Sequence, residues 1–136
     1  MIQAESITAR TSVNVQNQLL TLPEWLGEVA SQNSIDKGIA LVNSEKKRDI
    51  LKHQVVDDWI ITRVKGSRGG YYITKVKIWD RESNVIPRTE CTCPFGFNNP
   101  HRLCYHKVAF VLLILSWNFI PENRPVVNYE DDFELD

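Results

Sequence analysis

The sequence predicts an α+β fold. Short helices come first, then an antiparallel β-meander of three to four strands, and then a Cys/His-rich segment joining the last strand to a C-terminal apolar helix. Three observations carry this reading. Apolar residues recur at helical spacing up to about residue 44. The period then shortens towards two from Asp49 onward, and all three cysteines fall between positions 91 and 104, just ahead of a long apolar run.

Residues 1–18 are polar apart from alternating Val13 and Val15, which suits either a short edge strand or an arm lying on a partner. Thr21-Leu22-Pro23-Glu24 reads as a helix start, with proline at an early helical position and an acid in the first turn. That helix is expected over residues 23–31, burying Leu22, Trp25, Leu26 and Val29. Asn33-Ser34 offers the N-cap of a second helix, in which Ile35, Ile39 and Val42 share one face. Gly38 weakens this helix, and Asn43-Ser44 ends it ahead of a turn at residues 45–49.

Residues 50–56 and 59–64 are rich in β-branched side chains and are separated by Asp57-Asp58, which suggests a tight hairpin without the glycine such turns favour. A looser turn at residues 65–70 leads to a third strand at 71–79. Alternation along it places Tyr72, Val76 and Ile78 on one face and Tyr71, Ile73, Lys75, Lys77 and Trp79 on the other. A last turn at 80–84 precedes a fourth strand at 85–93, which Pro87 confines to an edge or a bulge. The final helix, residues 105–117, is apolar nearly all round, so elements besides the strands must cover it. The N-terminal helices, Phe119-Ile120 folding back, or another subunit could do so. Pro121 and Pro125 end the helical run. The organisation expected is a helical extension at 1–44, a core at 45–120 and an acidic tail at 121–136.

The formal net charge of −1 conceals a segregation. From Lys37 to Lys107 there are fourteen Lys or Arg against seven Asp or Glu, whereas the last seven residues hold five acids and no base. A basic middle with an acidic tail points to nucleic-acid contact or tail-mediated regulation. Met1 is not followed by a basic and then apolar leader, and the run from Val108 to Leu115 is too short to span a bilayer. The expectation is a chain in a reducing compartment, cytoplasmic or nucleoid/nuclear and not secreted, making no membrane contact.

Cys91-Thr92-Cys93-Pro94, a loop, and then Cys104-Tyr105-His106 place four soft ligands within a short span. Two cysteines at i and i+2 can converge on one ion, and a loop of this length brings the second pair to its far side; the pattern reads as a closed Zn²⁺ site. His101 is a rival to His106 as the fourth ligand. Four protein ligands leave no position for water, which marks a structural ion and not a catalytic one. No catalytic grouping stands out elsewhere, so no enzymatic activity and no small-molecule substrate are expected.

C-x-C, a variable loop, C-x-H and then Lys107-Val108-Ala109 opening an apolar helix resemble the SWIM zinc finger, a family named for chromatin-remodelling ATPases and Mutator-type transposases. Upstream, Val64-Lys65-Gly66-Ser67-Arg68-Gly69-Gly70-Tyr71-Tyr72 is similar to the V-x-G-S-x-x-x-Y strand pair that often precedes the family's cysteines. The resemblance covers roughly residues 49–116. It implies Cys91, Cys93, Cys104 and His106 as the ligands; Tyr105 departs from it, standing where a short or basic residue is more typical. It also implies nucleic-acid binding, DNA before RNA, or docking on a partner protein within a larger complex. The surface expected to meet nucleic acid comprises Arg63, Lys65 and Arg68 around the glycine-rich turn, Tyr71, Lys75, Lys77 and Trp79 on the polar strand face, and Arg102 and Lys107 beside the metal. The alternative is an adaptor whose helix and acidic tail dock on a partner, with Phe133 and Leu135 as tail anchors.

Overall fold

The computed structural model describes residues 12–44, 49–66 and 68–117. The first eleven residues, the 45–48 turn, Ser67, Phe119-Ile120, the two following prolines and the acidic tail lie outside the described residues.

The ambiguous N-terminal stretch forms a hairpin, β1 (Ser12–Val15) and β2 (Gln18–Thr21), paired from Ser12↔Thr21 to Val15↔Gln18. Its two-residue turn has Gln16 at φ 54° and Asn17 at φ 66°, the type I′ geometry that matches strand twist. No glycine announces this turn, and the reason it holds is tertiary. Gln16 donates from its backbone N to Asn43 Oδ1 (2.8 Å) and from its side chain to the Val42 carbonyl, while Asn43 Nδ2 donates to the Asn14 carbonyl (2.7 Å). Asn43, which ends the second helix, therefore also fastens the hairpin.

The first helix is shorter than its pattern suggests. α1 spans only Leu26–Val29, and Ala30 is already extended at φ −135°. Leu22, Trp25 and Leu26 are buried as expected. α2 (Gln32–Val42) begins earlier than Asn33-Ser34 implies, because Ser31 supplies the cap: its Oγ accepts from Ser34 N at 3.1 Å. Ile35 and Val42 are buried in the core and Ile39 packs against it.

β3 (Gln54–Val56), β4 (Trp59–Lys65), β5 (Tyr71–Lys77) and β6 (Thr89–Cys91) form one antiparallel sheet in chain order. The β3–β4 turn is the expected Asp57-Asp58 pair, at φ 50° and 68°; aspartate tolerates this left-handed region better than most residues. Ile60, Thr62, Val64, Thr74 and Val76 face inward and are fully buried. Trp59↔Lys77, Arg63↔Ile73 and Lys65↔Tyr71 are paired on the outer face. β6 is shorter than expected, since Pro87 has no N–H to pair, and regular pairing begins two residues later at Thr89.

α4 (Tyr105–Leu115) lies between this sheet and α2. Val108, Ala109, Phe110, Val111, Leu112 and Ile114 are fully buried, so most of the helix's apolar surface is met within the chain, while Leu113 and Leu115 are only partly buried. Gly38 makes the α2–α4 approach possible: a Cβ there would lie 2.4 Å from Val108 Cγ1 and 3.1 Å from the Ala109 backbone N. Arg81 closes the other end of α4, donating to the carbonyls of Ile114 (2.9 Å) and Trp117 (2.8 Å), where a cation also complements the helix dipole.

Two stability predictions follow from this packing. Gly38→Ala in an ordinary helix would gain about 1 kcal/mol, but here the overpacking costs about 1–3 kcal/mol. The variant is therefore expected to melt below the wild type by circular dichroism. Asp58→Gly, which relieves a positive φ in a type I′ turn, should raise the melting temperature.

Candidate metal centre and the outer sheet face

β6 ends at Cys91, and Cys93 then acts as N-cap of a short helix, α3 (Pro94–Asn98), its Sγ accepting from Gly96 N at 3.2 Å. Proline at the first helical position suits this start. A brief loop leads to Cys104, the N-cap residue of α4, and His106 follows as the second residue of that helix. Leu103 N donates to the Val29 carbonyl at 2.8 Å, tying the loop to the N-terminal half.

The ligand atoms of Cys91, Cys93, Cys104 and His106 all lie within 4.8 Å of one another. A tetrahedral shell with Zn–S of about 2.3 Å would space its ligands about 3.8 Å apart, so the group is of the size to hold a single ion after a small contraction. All four residues are at most 4% exposed. His106 Nδ1 is 3.9 Å from Cys91 Sγ, and its Nε2 is buried with no hydrogen-bond partner among the described residues. A soft donor set with an orphaned imidazole nitrogen at its edge fits a bound metal. His101 is exposed and lies outside the group, so the rival ligand set is not assembled.

Several residues support the ligands without being obvious from the chain. Thr74 Oγ1 lies 3.4 Å from Cys91 Sγ. The rings of Tyr105 and Tyr72 lie 4.1 and 5.1 Å from the His106 ring, fixing the imidazole plane. Tyr105, the position at odds with the family look, thus has a packing role. Gly96 comes so close that a Cβ would sit 2.8 Å from Cys91 Cβ and 3.2–3.3 Å from the sulfurs of Cys93 and Cys104.

The thiols differ in proton affinity. A hydrogen bond from Cys104 holds Cys91 down to about 4, while the same bond, with burial, pushes Cys104 up. Burial raises Cys93 as well. A metal ion must therefore displace protons from Cys93 and Cys104, and its affinity should fall as pH falls.

The expected nucleic-acid residues divide. Arg63, Lys65, Tyr71, Lys75 and Lys77 share the outer sheet face. Arg68 and Arg102 are exposed near the metal loop, Arg68 lining a cavity of about 350 Å³ with Tyr72, Phe95 and Tyr105. Lys107 is not on the surface at all. It is fully buried, and its Nζ donates to the carbonyls of Arg102 (3.0 Å) and Pro100 (3.4 Å), stapling the metal loop. Trp79 lies beyond the end of β5 and packs against the core, because the strand alternation stops at Lys77. Trp59 and Arg88 belong to the outer face instead. Lys75, Lys77 and Arg88 lie 5.2, 5.4 and 5.9 Å from the Trp59 ring centre, and Lys75 also pairs with Glu90 at 3.3 Å. The register Trp59↔Lys77 would have revealed this grouping had the pairing been known.

No helix among the described residues is long and apolar enough to cross a membrane. The class of protein that fold and site define is a small α+β domain with a Cys₃His group able to hold a metal ion. The chain matches no protein-family model, no curated protein and no solved structure.

Titration with Zn²⁺ should load one ion per chain and release protons. Cys104→Ser and His106→Ala should weaken loading at least tenfold, whereas His101→Ala should not change it. Gly96→Ala, which pushes a methyl group against the sulfurs, should weaken it too.

Proposed function

We propose that the chain is a non-catalytic, zinc-stabilised module of the SWIM type whose outer sheet face binds nucleic acid, DNA in preference to RNA. Four protein donors fill a tetrahedral shell, which favours zinc in a structural role over an ion that activates water. The observation that carries the binding reading is the outer face itself, where Lys75, Lys77 and Arg88 gather around Trp59. Arg63, Lys65 and Tyr71 extend it along the same side of the sheet. Clustered cations meet phosphates without regard to sequence, and binding of this kind weakens steeply with salt.

A second reading, docking on a partner protein, is favoured by Val85 and Ile86, adjacent apolar residues that are 62% and 39% exposed.

Gel-shift titration of the zinc-loaded chain on mixed-sequence DNA tests the first reading. Binding should appear at low salt, fall log-linearly as salt rises, and weaken across all sequences for Lys65→Glu and Lys77→Glu. The absence of a shift at low salt would overturn it. For the second reading, a hydrodynamic mass above the monomer in native lysate that Val85→Ser with Ile86→Ser reduces to the monomer is the expected result.

A further inference from the structure

Two open cavities, of about 490 and 410 Å³, flank the edge strand β6 and share Thr89, Glu90 and Pro100 as lining. Through these shared residues they neighbour one another along β6, between the outer sheet face and the metal loop, and are together called the trough. Phe97, on α3, stands at one end beside Ile73 and Lys75, 74% exposed to solvent. Trp59 and Arg88 line the other end.

The chemistry of the trough is specific. An aromatic ring presented to solvent at this level is not part of the core, and its position is fixed from behind, since neighbouring Gly96 is pressed against the cysteine sulfurs. Lys75 lines the Phe97 cavity and Arg88 the Trp59 cavity, and both, with Lys77 alongside, lie within 5.9 Å of the Trp59 ring centre; Glu90, which lines both cavities, is paired with Lys75 at 3.3 Å. Cations attract phosphate, while a solvent-facing ring gains most from a flat base that has no stacking partner of its own. A duplex keeps its bases stacked on one another and has none to offer Phe97. An acidic peptide would use the cations but would bring no base to the ring.

We propose that this trough holds single-stranded nucleic acid, an unpaired base stacking on Phe97 while backbone phosphates meet Lys75, Lys77 and Arg88. The proposal rests on the nucleic-acid reading above and narrows it to unpaired strands. Glu90 acts within it as a brake, holding Lys75 and repelling phosphate.

Fluorescence anisotropy on the zinc-loaded full chain tests it, with dye-labelled oligothymidylate, the same strand annealed to oligoadenylate, and poly-glutamate as probes at low salt. The single strand should bind more tightly than the duplex. Phe97→Ala, at a ring outside the core, should lower single-strand affinity on the order of tenfold with the melting temperature unchanged. Phe97→Trp should restore binding, and Glu90→Gln should strengthen it. Wild-type affinity in Phe97→Ala, or a duplex bound as tightly as the single strand, overturns the trough while leaving the nucleic-acid reading intact. Binding of poly-glutamate with neither oligonucleotide bound overturns both.

Discussion

The junction of β6, α3 and α4 is built on bringing three thiols and an imidazole to within 4.8 Å of one another inside the protein. Three thiolates packed so closely repel one another and are poorly solvated, so the arrangement is costly without a cation among them. A dication with three thiolates still carries a net charge of −1. Lys107, fully buried one residue beyond His106, is the neighbouring cation: burial pulls its pKa below the ordinary lysine value, and the cysteines beside it act in the opposite sense, so a thiolate-rich metal shell would favour its charged form. The same ammonium holds the carbonyls of Pro100 and Arg102. A lysine that sequence pattern assigns to a ligand surface is thus part of the electrostatic balance of the metal centre. Because a site of this kind is absent from an unfolded chain, its binding free energy is also folding free energy.

The centre is a junction as well as a site. Its ligands come from the end of β6, the start of α3 and the start of α4, so one ion would clip the sheet edge to the central helix. The Val29–Leu103 backbone bond then joins the same loop to the N-terminal half. That half is not an appendage, since Val15, Leu22, Trp25 and Ile35 belong to the same core cluster as Val108 and Phe110. On the outside, the requirement that Gly96 face the sulfurs leaves its neighbours Phe95 and Phe97 turned to solvent, 47% and 74% exposed. The geometry of the cage therefore sets what the surface beside it displays.

Much of this was legible in the chain. The C-x-C and C-x-H pairs named the four residues that converge, because short spacing fixes local approach. Period-two patterning gave the meander and the inward face of β5, helical periodicity gave α2, and the unbroken apolar run after His106 gave α4. Less legible were the boundaries: Ser31 and not Asn33-Ser34 caps α2, and α1 is a single turn. Caps and turns rest on single hydrogen bonds that several neighbouring residues could equally make. The N-terminal hairpin was ambiguous for a related reason, since its glycine-free turn is held by Asn43, a residue distant in the chain.

By itself, then, the sequence determined which residues are apolar at which period and which four could ligate a metal, because these are properties of composition and short-range spacing. Tertiary structure decided which polar residues remain on the surface. Lys107 was drawn inward by the loop carbonyls and the thiols, Trp79 was drawn to the core past the end of its strand, and Trp59 became the centre of the cationic face. Those outcomes depend on strand register and on what lies across from each side chain. No window of neighbouring residues contains that information.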